Sequence, residues 1–356
     1  MLTIIALFVK KGFFPLDKQL ELWDKHWSPE LSKQIVWLSG VSSSFEKAEE
    51  TLKRIGRVNV SDSSVWRQVE TWGPRFQQLE EEALKQGEQP LDKQERKQKV
   101  TQTAGTKGVA MDGATIYIRD EGWKELKVGC TFDVEIQPTK DKDTGRWQDK
   151  AHAVNNQYVA YLGGPEQFGK MVWGLARRSN WFGAKKSIVL GDGAVWIWKL
   201  ADHHFVKSEQ LVDWYHATEH LGTAARLLYG EDDLVRDCWY EAQKTQLFIG
   251  QAEKIAQHLE DQATDKPPAV ADALESEAGY FVNNYERMAY QTLQSAGYPI
   301  GSGMVESGCK QFKARFDGPG MRWSRPGAER LLPIRAAVMS NNFDTVWEQV
   351  YHLPQN

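Results

Sequence analysis

Three carboxylates of the chain could together hold divalent metal ions. Asp112 lies in or at the end of a β-rich run, Asp192 directly follows the apolar run SIVL, and Glu306 falls in a later helical segment. Carboxylate oxygens are the hard ligands that Mg²⁺ prefers. A cluster of such groups can hold two divalent ions about 3.5–4 Å apart for in-line phosphoryl displacement. The residue types therefore predict a metal-dependent enzyme acting on phosphate esters.

Each of these residues also has a plainer interpretation. Both aspartates precede glycine, and Asp-Gly is the strongest dipeptide signal for a hairpin turn. Glu306 could be the i, i+4 partner of Lys310 on a solvated helix face. The chain has 48 acidic residues, so three acids that are far apart in sequence are not by themselves evidence of a cluster.

A second constellation lies in the stretch DWYHATEH at residues 213–220. His216, Glu219 and His220 fit the H-x-x-E-H string of inverted zinc peptidases, in which two histidines ligate Zn²⁺ and the glutamate is the general base. The string is short, and the sequence does not single out the further carboxylate ligand that such an enzyme needs. Alternatively, histidines near a helix start pair with Asp213 or cap backbone groups.

The hydrophobic period changes near Gly108 and predicts the elements that would position the carboxylates. Segments 108–119, 123–136 and 157–163 predict strands, 165–178 predicts a helix, and 185–193 predicts a fourth strand. That order is the front half of a ribonuclease H-like fold, an α/β fold whose mixed sheet carries helices on its faces. The first and fourth strands are neighbours in such a sheet, so Asp112 and Asp192 would meet there.

Helical segments precede and interrupt the predicted sheet. Helices capped by Ser28, Ser43 and Ser61 form a helix-turn-helix-like outline, with Arg67 and Gln68 facing outward from the third helix. The predicted organisation is a helical DNA-recognition region at 1–86, a polar linker at 87–107, the first part of the core at 108–212, an all-α insertion at 213–296, and the closing helix with a basic C-terminal region at 297–356.

Composition places the chain among folded, water-soluble globular proteins. Its 356 residues suffice for two to three domains, with 41% hydrophobic and 26% charged residues. The three cysteines are far apart without a C-x-x-C pair, which argues against disulfides or a cysteine zinc site and favours a reducing cytosol. The apolar start MLTIIALFV precedes its lysines and is too short to span a bilayer, so no export or anchoring signal is predicted.

The net charge of −4 means that any polyanion must be held by local basic patches. Residues 301–335 supply such a patch, with seven basic residues against three acidic ones. The basic residues are Lys310, Lys313, Arg315, Arg322, Arg325, Arg330 and Arg335.

Four stretches resemble the transposases of bacterial insertion sequences of the ISKra family, which are distantly related to Mutator-like transposases. They are VAMDGATIYIR, IVLGDGAVWIW, DWYHATEHL and, most specifically, GSGMVESGCKQFKARFDGPGMRWSRPGAERLLPIRA. GFFPLDKQL near the start also resembles that family, so the resemblance spans nearly the whole chain.

The resemblance implies a DDE transposase with a ribonuclease H-like catalytic domain. Such an enzyme cuts DNA at element ends and joins the freed 3′ ends to a target, using Mg²⁺, for which Mn²⁺ can substitute. By matching motifs, Asp112, Asp192 and Glu306 are the catalytic, metal-binding acids. The D-x-x-H element falls on Asp213 and His216, near the catalytic centre, so the zinc peptidase becomes a minor alternative and no zinc site is predicted.

The resemblance also implies DNA as the partner, both element ends and target. A homodimer or larger assembly is expected in the DNA complex because two ends must be brought together, in a prokaryotic, nucleoid-associated cytoplasmic location, without membrane or small-molecule cofactor. Basic side chains would contact phosphates, and a tryptophan could stack on a distorted base. The predicted DNA-binding residues are Lys310, Lys313, Arg315, Arg322, Trp323, Arg325, Arg67 and Gln68.

One feature departs from the family pattern. Members usually carry a C-x-x-C pair just before the GFFPLD segment, part of a zinc-binding N-terminal region, whereas ALFVKK stands here. We therefore expect a chain that is truncated or frameshifted at its start relative to its relatives. A catalytically inactive DNA-binding remnant is accordingly the first alternative to an active transposase.

Overall fold

The computed structural model describes residues 27–102, 104–140, 145–230 and 234–354. The segment GFFPLDKQL lies outside the described residues. The chain divides into two compact units. Among described residues, unit 1 contains 27–81, 117–122 and 314–354, and unit 2 contains 82–116 and 123–313. Within the predicted region 297–356, the residues up to 313 belong to unit 2, and the described residues after 313 belong to unit 1 together with the N-terminal helices.

The helices and strands follow one another along the chain in this order. They are α1 Pro29–Val41, α2 Phe45–Thr51 with a π-helical continuation Leu52–Gly56, α3 Asp62–Glu88, α4 Lys93–Thr101, β1 Ala104–Ile118, β2 Gly122–Lys140, β3 Trp147–Tyr161, α5 Pro165–Arg178, a 3₁₀ turn Trp181–Gly183, β4 Ala184–Gly191, α6 Val195–His204, β5 Glu209–Val212, α7 Trp214–Tyr229, α8 Leu234–Phe248, α9 Ala252–Ala263, α10 Pro268–Asn284, a 3₁₀ turn Tyr285–Arg287, α11 Tyr290–Ser295, α12 Gly303–Phe316, α13 Arg325–Met339 and α14 Phe343–His352.

The first two helices begin with serine caps. Ser28 caps α1, with Pro29 at the first helical position, as predicted. The cap of α2 is Ser44, whose hydroxyl accepts a hydrogen bond from the backbone N–H of Lys47 at 3.1 Å. The predicted cap, Ser43, is therefore wrong by one residue, since helix ends have several serines to choose from here.

Helix α3 buries a wider face than its apolar stripe predicts. Val65, Val69 and Trp72 are buried, as expected. Gln68 is also buried, and its Oε1 accepts a hydrogen bond from Trp72 Nε1 at 3.2 Å, so the prediction that it faces outward is wrong. Other parts of unit 1 pack against α3; for example, the ring centroid of Trp72 lies 4.5 Å from that of Trp347.

Residues 87–107, predicted as a linker, are mostly regular structure. Helix α4 begins at a capping box in which Asp92 and Glu95 exchange hydrogen bonds with each other's backbone N–H groups. Arg177 of α5 pairs with Glu95 at 2.7 Å and donates to the carbonyl oxygens of residues 86, 87 and 89. Helix α4 buries none of its residues, so its sequence has no apolar face. The sequence therefore looked like a linker, and the helix was missed.

The sheet of unit 2 has five strands in the order β3-β2-β1-β4-β5. β1 pairs with β4 in parallel, with Ala110 opposite Leu190, and β4 pairs with β5 in parallel, with Gly191 opposite Val212. β2 and β3 are antiparallel. The predicted adjacency of the first and fourth strands is confirmed, and the mixed sheet is consistent with the ribonuclease H-like prediction.

β3 begins at Trp147, ten residues before the predicted start at 157. Its first residues pair with the end of β2, from Lys140 opposite Trp147 to Ile136 opposite Ala151. This part of the hairpin is largely exposed, and Trp147 and Ile136 are 69% and 54% accessible. Because neither face is buried there, the sequence has no apolar alternation that would mark a strand.

The core of unit 2 lies between the central strands and the helices that cover them. Val109, Val128 and Ile188 are fully buried in the strands. Phe168 and Val172 are buried on α5, the face that the sequence predicted for that helix. Within the described ranges, no helix is both long and apolar enough to cross a membrane.

Candidate functional site

Three aspartates lie level with one another at one edge of the unit 2 sheet. Asp112 is in β1, Asp192 directly follows β4, and Asp213 directly follows β5. These strands are parallel neighbours, and continuing their registers by one or two residues brings the three aspartates side by side. The carboxyl ends of parallel strands are where ligand sites form in open α/β sheets.

Asp112 is a partly buried carboxylate within β1. Its Oδ1 accepts a hydrogen bond from the N–H of Gly113 at 2.6 Å, and the thiol of Cys309 on α12 lies beside it. Burial raises the pKa of Asp112, and the negative charge of Asp192 raises it further. Since β1 continues to Ile118, the hairpin-turn interpretation of Asp112 is wrong.

Asp192 stands in the turn that leads from β4 into α6. Its Oδ1 accepts a hydrogen bond from the N–H of Ala194 at 2.8 Å. Gly193 has φ +107°, a backbone conformation that side chains other than glycine rarely adopt. The Asp-Gly pair therefore makes a turn, as its plainer interpretation predicts, but the turn joins a strand to a helix instead of two strands.

Asp213 has no accessible side-chain surface and caps α7. Its Oδ1 accepts the backbone N–H of His216 at 2.8 Å, and its Oδ2 accepts the backbone N–H of Ser302. Burial alone would raise the pKa of Asp213, but the hydrogen bonds from His216 and Ser302 outweigh it and hold the pKa below its usual range. Asp213 is thus ionised, and each of its carboxylate oxygens already accepts a backbone hydrogen bond.

His216 is a cation among these acids. Its Nδ1 lies 3.4 Å from Asp213 Oδ1. The hydrogen bond to Asp213 raises the pKa of His216 to about 9, and the negative charges of Asp192 and Asp112 act in the same direction. The imidazole is therefore protonated at neutral pH, and in that form both ring nitrogens are donors.

Glu306 lies in the first turn of α12 and has an unsatisfied oxygen. Its Oε1 is buried and accepts no hydrogen bond from the described residues, while Oε2 is 3.9 Å from Lys310 Nζ. Burial and the charge of Asp213 raise the pKa of Glu306. A buried acceptor without a partner is costly, so this oxygen is suited to a cation that the chain itself does not supply.

One group among the described residues has the spacing to hold a metal ion. Ligand atoms of Asp213, His216 and Glu306 all lie within 4.8 Å of one another. Asp112 and Asp192, predicted as partners of Glu306, are not in this group, although their charges act on its members. The structure therefore brings the predicted acids to one sheet edge without gathering Asp112, Asp192 and Glu306 as one compact cluster.

The H-x-x-E-H string does not assemble a second cluster in the described part of the chain. His220 Nδ1 pairs with Glu277 Oε2 at 2.6 Å, and its ring stacks on Tyr280. Glu219 is exposed. Of the two histidines, only His216 belongs to a group of potential metal ligands, so the peptidase alternative gains no support.

Some of the predicted DNA-binding side chains are exposed, whereas others are ion-paired or buried. Lys310, Lys313, Arg322 and Arg67 are exposed. Arg325 is held by two carboxylates, Glu121 at 2.6 Å and Glu329 at 3.3 Å.

Arg315 and Trp323 are buried within unit 1, as is Gln68. Arg315 is 1% accessible, lies over the rings of Phe45 at 4.5 Å and Trp323 at 5.2 Å, and donates from Nε to the carbonyl oxygen of Ser39. Trp323 Nε1 donates to the carbonyl oxygen of Phe316 at 3.0 Å. These positions leave no surface for phosphate contact or base stacking, so the DNA-binding prediction for them is corrected to a packing role.

Sequence reasoning missed three residues that contact the acids. They are Cys309 beside Asp112, Ser302 beside Asp213, and Tyr280, whose hydroxyl donates to the carbonyl oxygen of Asp192 at 2.9 Å. Cys309 could have been found, because it follows Glu306 by three residues on the same helix face. Tyr280 carries no such signal, since it is 88 residues away from Asp192 in the chain.

No protein-family model matches this chain, and neither does any curated protein. The chain is similar to a chain of a solved structure titled as the Drosophila P element transposase strand transfer complex. The identity is 8% and the TM-score 0.28, over 93% of this chain and 84% of that chain. Similarity this low establishes neither the fold nor the function of the chain. Membership of the ISKra family is not confirmed.

Proposed function

We propose that this chain is a DDE transposase of the ISKra type with a ribonuclease H-like core, which cleaves DNA at insertion-sequence ends and transfers the strands to a target. The observation that carries the proposal is the alignment of Asp112 and Asp192 on adjacent parallel strands, with the unsatisfied oxygen of Glu306 nearby. The motifs around these three residues supply the specific family.

Asp112, Asp192 and Glu306 would hold the metal, Mg²⁺ or Mn²⁺. Asp213 is a weaker candidate ligand because both of its oxygens accept backbone hydrogen bonds, and His216 is protonated. Bound divalent ions in such a carboxylate site activate the attacking oxygen and stabilise the leaving oxygen. The raised pKa values of Asp112 and Glu306 favour this assignment, since both carboxylates lack sufficient positive charge around them.

The neighbouring residues have supporting roles in this proposal. Asp213 fixes the starts of α7 and α12 through the N–H groups of His216 and Ser302. His216 brings a positive charge close to the acids, and the Cys309 thiol lies beside Asp112. Such outer partners typically change metal affinity or activity by 10–100-fold when removed.

DNA is the proposed partner, bound in part through the exposed basic residues Lys310, Lys313, Arg322 and Arg67, with Arg325 available only if its carboxylate pairs open. The proposal includes a homodimer or larger assembly on DNA, a nucleoid-associated cytoplasmic location, and an all-α insertion at 213–296 within the core. Helices α7 to α11 account for the insertion.

Cleavage of the DNA that flanks the reading frame tests the proposal. End-labelled duplexes tiling that DNA are incubated with Mg²⁺ or Mn²⁺ and the wild type, Asp192→Asn, or Asp272→Asn, a matched change at an exposed aspartate. We expect a discrete nick that Asp192→Asn reduces by at least about a hundredfold, as for loss of a metal ligand, and that Asp272→Asn leaves unchanged.

Two results would count against the proposal. Cleavage by Asp192→Asn at the wild-type rate would exclude the metal assignment. Metal-insensitive DNA binding without cleavage by the wild type would identify the chain as an inactive DNA-binding remnant. Casein cleavage with bound zinc would instead support a peptidase that uses His216, Glu219 and His220.

A further inference from the structure

A helix from a distant part of the chain holds the turn that carries Asp192. Tyr280 of α10 donates its hydroxyl to the carbonyl oxygen of Asp192 at 2.9 Å. The packing is close, because a Cβ at Gly193 would lie 2.8 Å from Cε2 of Tyr280. The carboxylate of Asp192 is tied back to the same turn by the N–H of Ala194. A shift of the Tyr280 contact would therefore move the carboxylate with the turn.

Asn284 connects α10 to α6, the helix that follows the Asp192 turn. It lies one turn after Tyr280 on α10 and is 3% accessible. Its Nδ2 donates to the carbonyl oxygen of Tyr280 at 2.9 Å, and its Oδ1 accepts a hydrogen bond from Trp198 Nε1 of α6 at 3.2 Å. Since α6 begins three residues after Asp192, α10 fixes the turn and the helix that leaves it.

The other side of the Tyr280 ring is fixed by α7, the helix that also carries His216. The imidazole of His220 stacks on Tyr280 with ring centroids 3.5 Å apart and planes at 19°. His220 Nδ1 is paired with Glu277 Oε2 at 2.6 Å, which sets the orientation of the imidazole. Tyr280 is thus held between the Asp192 turn and α7, the helix that Asp213 caps.

We propose that Tyr280 is a positioning residue that sets the Asp192 carboxylate for metal binding, so that the acid site is complete only when α10 is in place. The inference rests on the proposed function for the role of Asp192 as a metal ligand.

Tyr280→Phe tests the inference because it removes only the hydroxyl and keeps the ring against His220. Tyr285→Phe is the matched control, since Tyr285 is exposed. Two measurements are made on the full chain: amide hydrogen exchange of the peptide that covers residues 189–198, without metal, and the dissociation constant for Mn²⁺ from the spin-resonance signal of the free ion.

We expect Tyr280→Phe to exchange faster at residues 192–194 and to bind Mn²⁺ about tenfold more weakly, the range seen when outer partners of metal ligands are removed. Exchange in β1 and β4 should stay unchanged, and Tyr285→Phe should behave as the wild type in both measurements.

Several outcomes would overturn the inference. Wild-type Mn²⁺ affinity in Tyr280→Phe would do so even if exchange rises, because the turn would then not govern the metal ligand. Loss of protection across the whole sheet would show a general structural role. If the wild type binds no Mn²⁺, the proposed function fails, whereas the exchange comparison still decides whether Tyr280 holds the Asp192 turn.

Discussion

The acid edge of unit 2 and the arginine site of unit 1 both bury charge without a full set of opposite charges. The acid edge consists of Asp112, Asp192, Asp213 and Glu306, and Glu306 Oε1 has no partner among the described residues. The arginine site consists of Arg315 between Phe45 and Trp323, and Arg315 Nη2 likewise donates to no acceptor in the described ranges.

The two regions differ in access, and this separates a functional site from a packing site. Glu306 is 26% accessible and Asp112 is partly exposed, so an ion from solvent can reach the acid edge. Arg315 is 1% accessible and lies against two aromatic rings, whose faces attract a cation. Burial and the nearby charge of Arg335 lower the pKa of Arg315 to about 9, so the fold itself must compensate this charge.

The largest expected effect concerns Arg315. Arg315→Ala should lower the free energy of unfolding by about 3 kcal/mol, because it removes two ring contacts and leaves a cavity. Arg315→Met should stay within about 1 kcal/mol of the wild type, since an apolar side chain of similar volume avoids the cost of burying the charge. Urea unfolding followed by tryptophan fluorescence measures both.

Arg322→Ala is the matched control for Arg315, because Arg322 is exposed in the same basic segment. It should change the free energy of unfolding by less than about 0.5 kcal/mol. If Arg315→Ala were equally mild, the arginine site would not be a packing site and the comparison with the acid edge would fail.

The second prediction separates two kinds of carboxylate within the acid edge. In metal-free protein at pH 7, Asp213→Asn should destabilise the fold by about 2 kcal/mol, because a buried, ionised acceptor of backbone N–H groups is lost. Asp112→Asn should be neutral or stabilise by about 1 kcal/mol, because it relieves a buried charge beside Asp192. Thermal and urea unfolding of the two variants provide the measurement.

The pH dependence of these variants follows from the directions of the pKa shifts. The pKa of Asp213 is lowered, so its contribution is present above the unfolded pKa and is lost as pH falls through the folded pKa. The pKa of Asp112 is raised, so its ionisation penalises the native state, and that penalty disappears as pH falls toward the unfolded pKa. Equal acid sensitivity in Asp213→Asn and Asp112→Asn would contradict the distinction.

The acid edge was predictable from sequence because strand order and strand ends determine it. Once residues 108–119 and 185–193 are predicted as strands that lie side by side, Asp112 and Asp192 must be near each other. The arginine site was not predictable, since a basic residue in a basic segment looks the same whether it is exposed or buried. Arg315 and Trp323 become neighbours of Phe45 only through packing of segments about 270 residues apart.

The same reasoning explains the other differences. Gln68 lies outside the apolar stripe of its own helix, yet it is 1% accessible. Helix α4 and the first part of β3 are exposed, so they carry no apolar period. Tyr280 contacts a backbone carbonyl, and a backbone acceptor leaves no mark in the sequence. The periodicity of apolar residues therefore shows which side of a single helix or strand is buried. Contacts between elements that are distant in sequence become visible only in the structure.

The smallest expected effect concerns Lys310, where the acid edge meets an exposed basic residue. Lys310 is 82% accessible and its Nζ is 3.9 Å from Glu306, so the ion pair is weak and the ammonium is available to phosphate. Lys310→Ala should weaken DNA binding about threefold to tenfold at moderate salt and reduce the slope of log affinity against log salt by about 0.9, since one phosphate contact releases one counterion equivalent. Fluorescence anisotropy with a labelled duplex over a salt series measures both quantities.

Arg315→Met is the control for the salt-dependence measurement. It removes a formal charge from the same basic segment, yet it should leave the salt slope unchanged because Arg315 has no surface to offer to phosphate. A reduced slope in Arg315→Met would mean that the buried guanidinium reaches DNA after all. An unchanged slope in Lys310→Ala would mean that charge near the acid edge does not contact the phosphates, even though it is exposed.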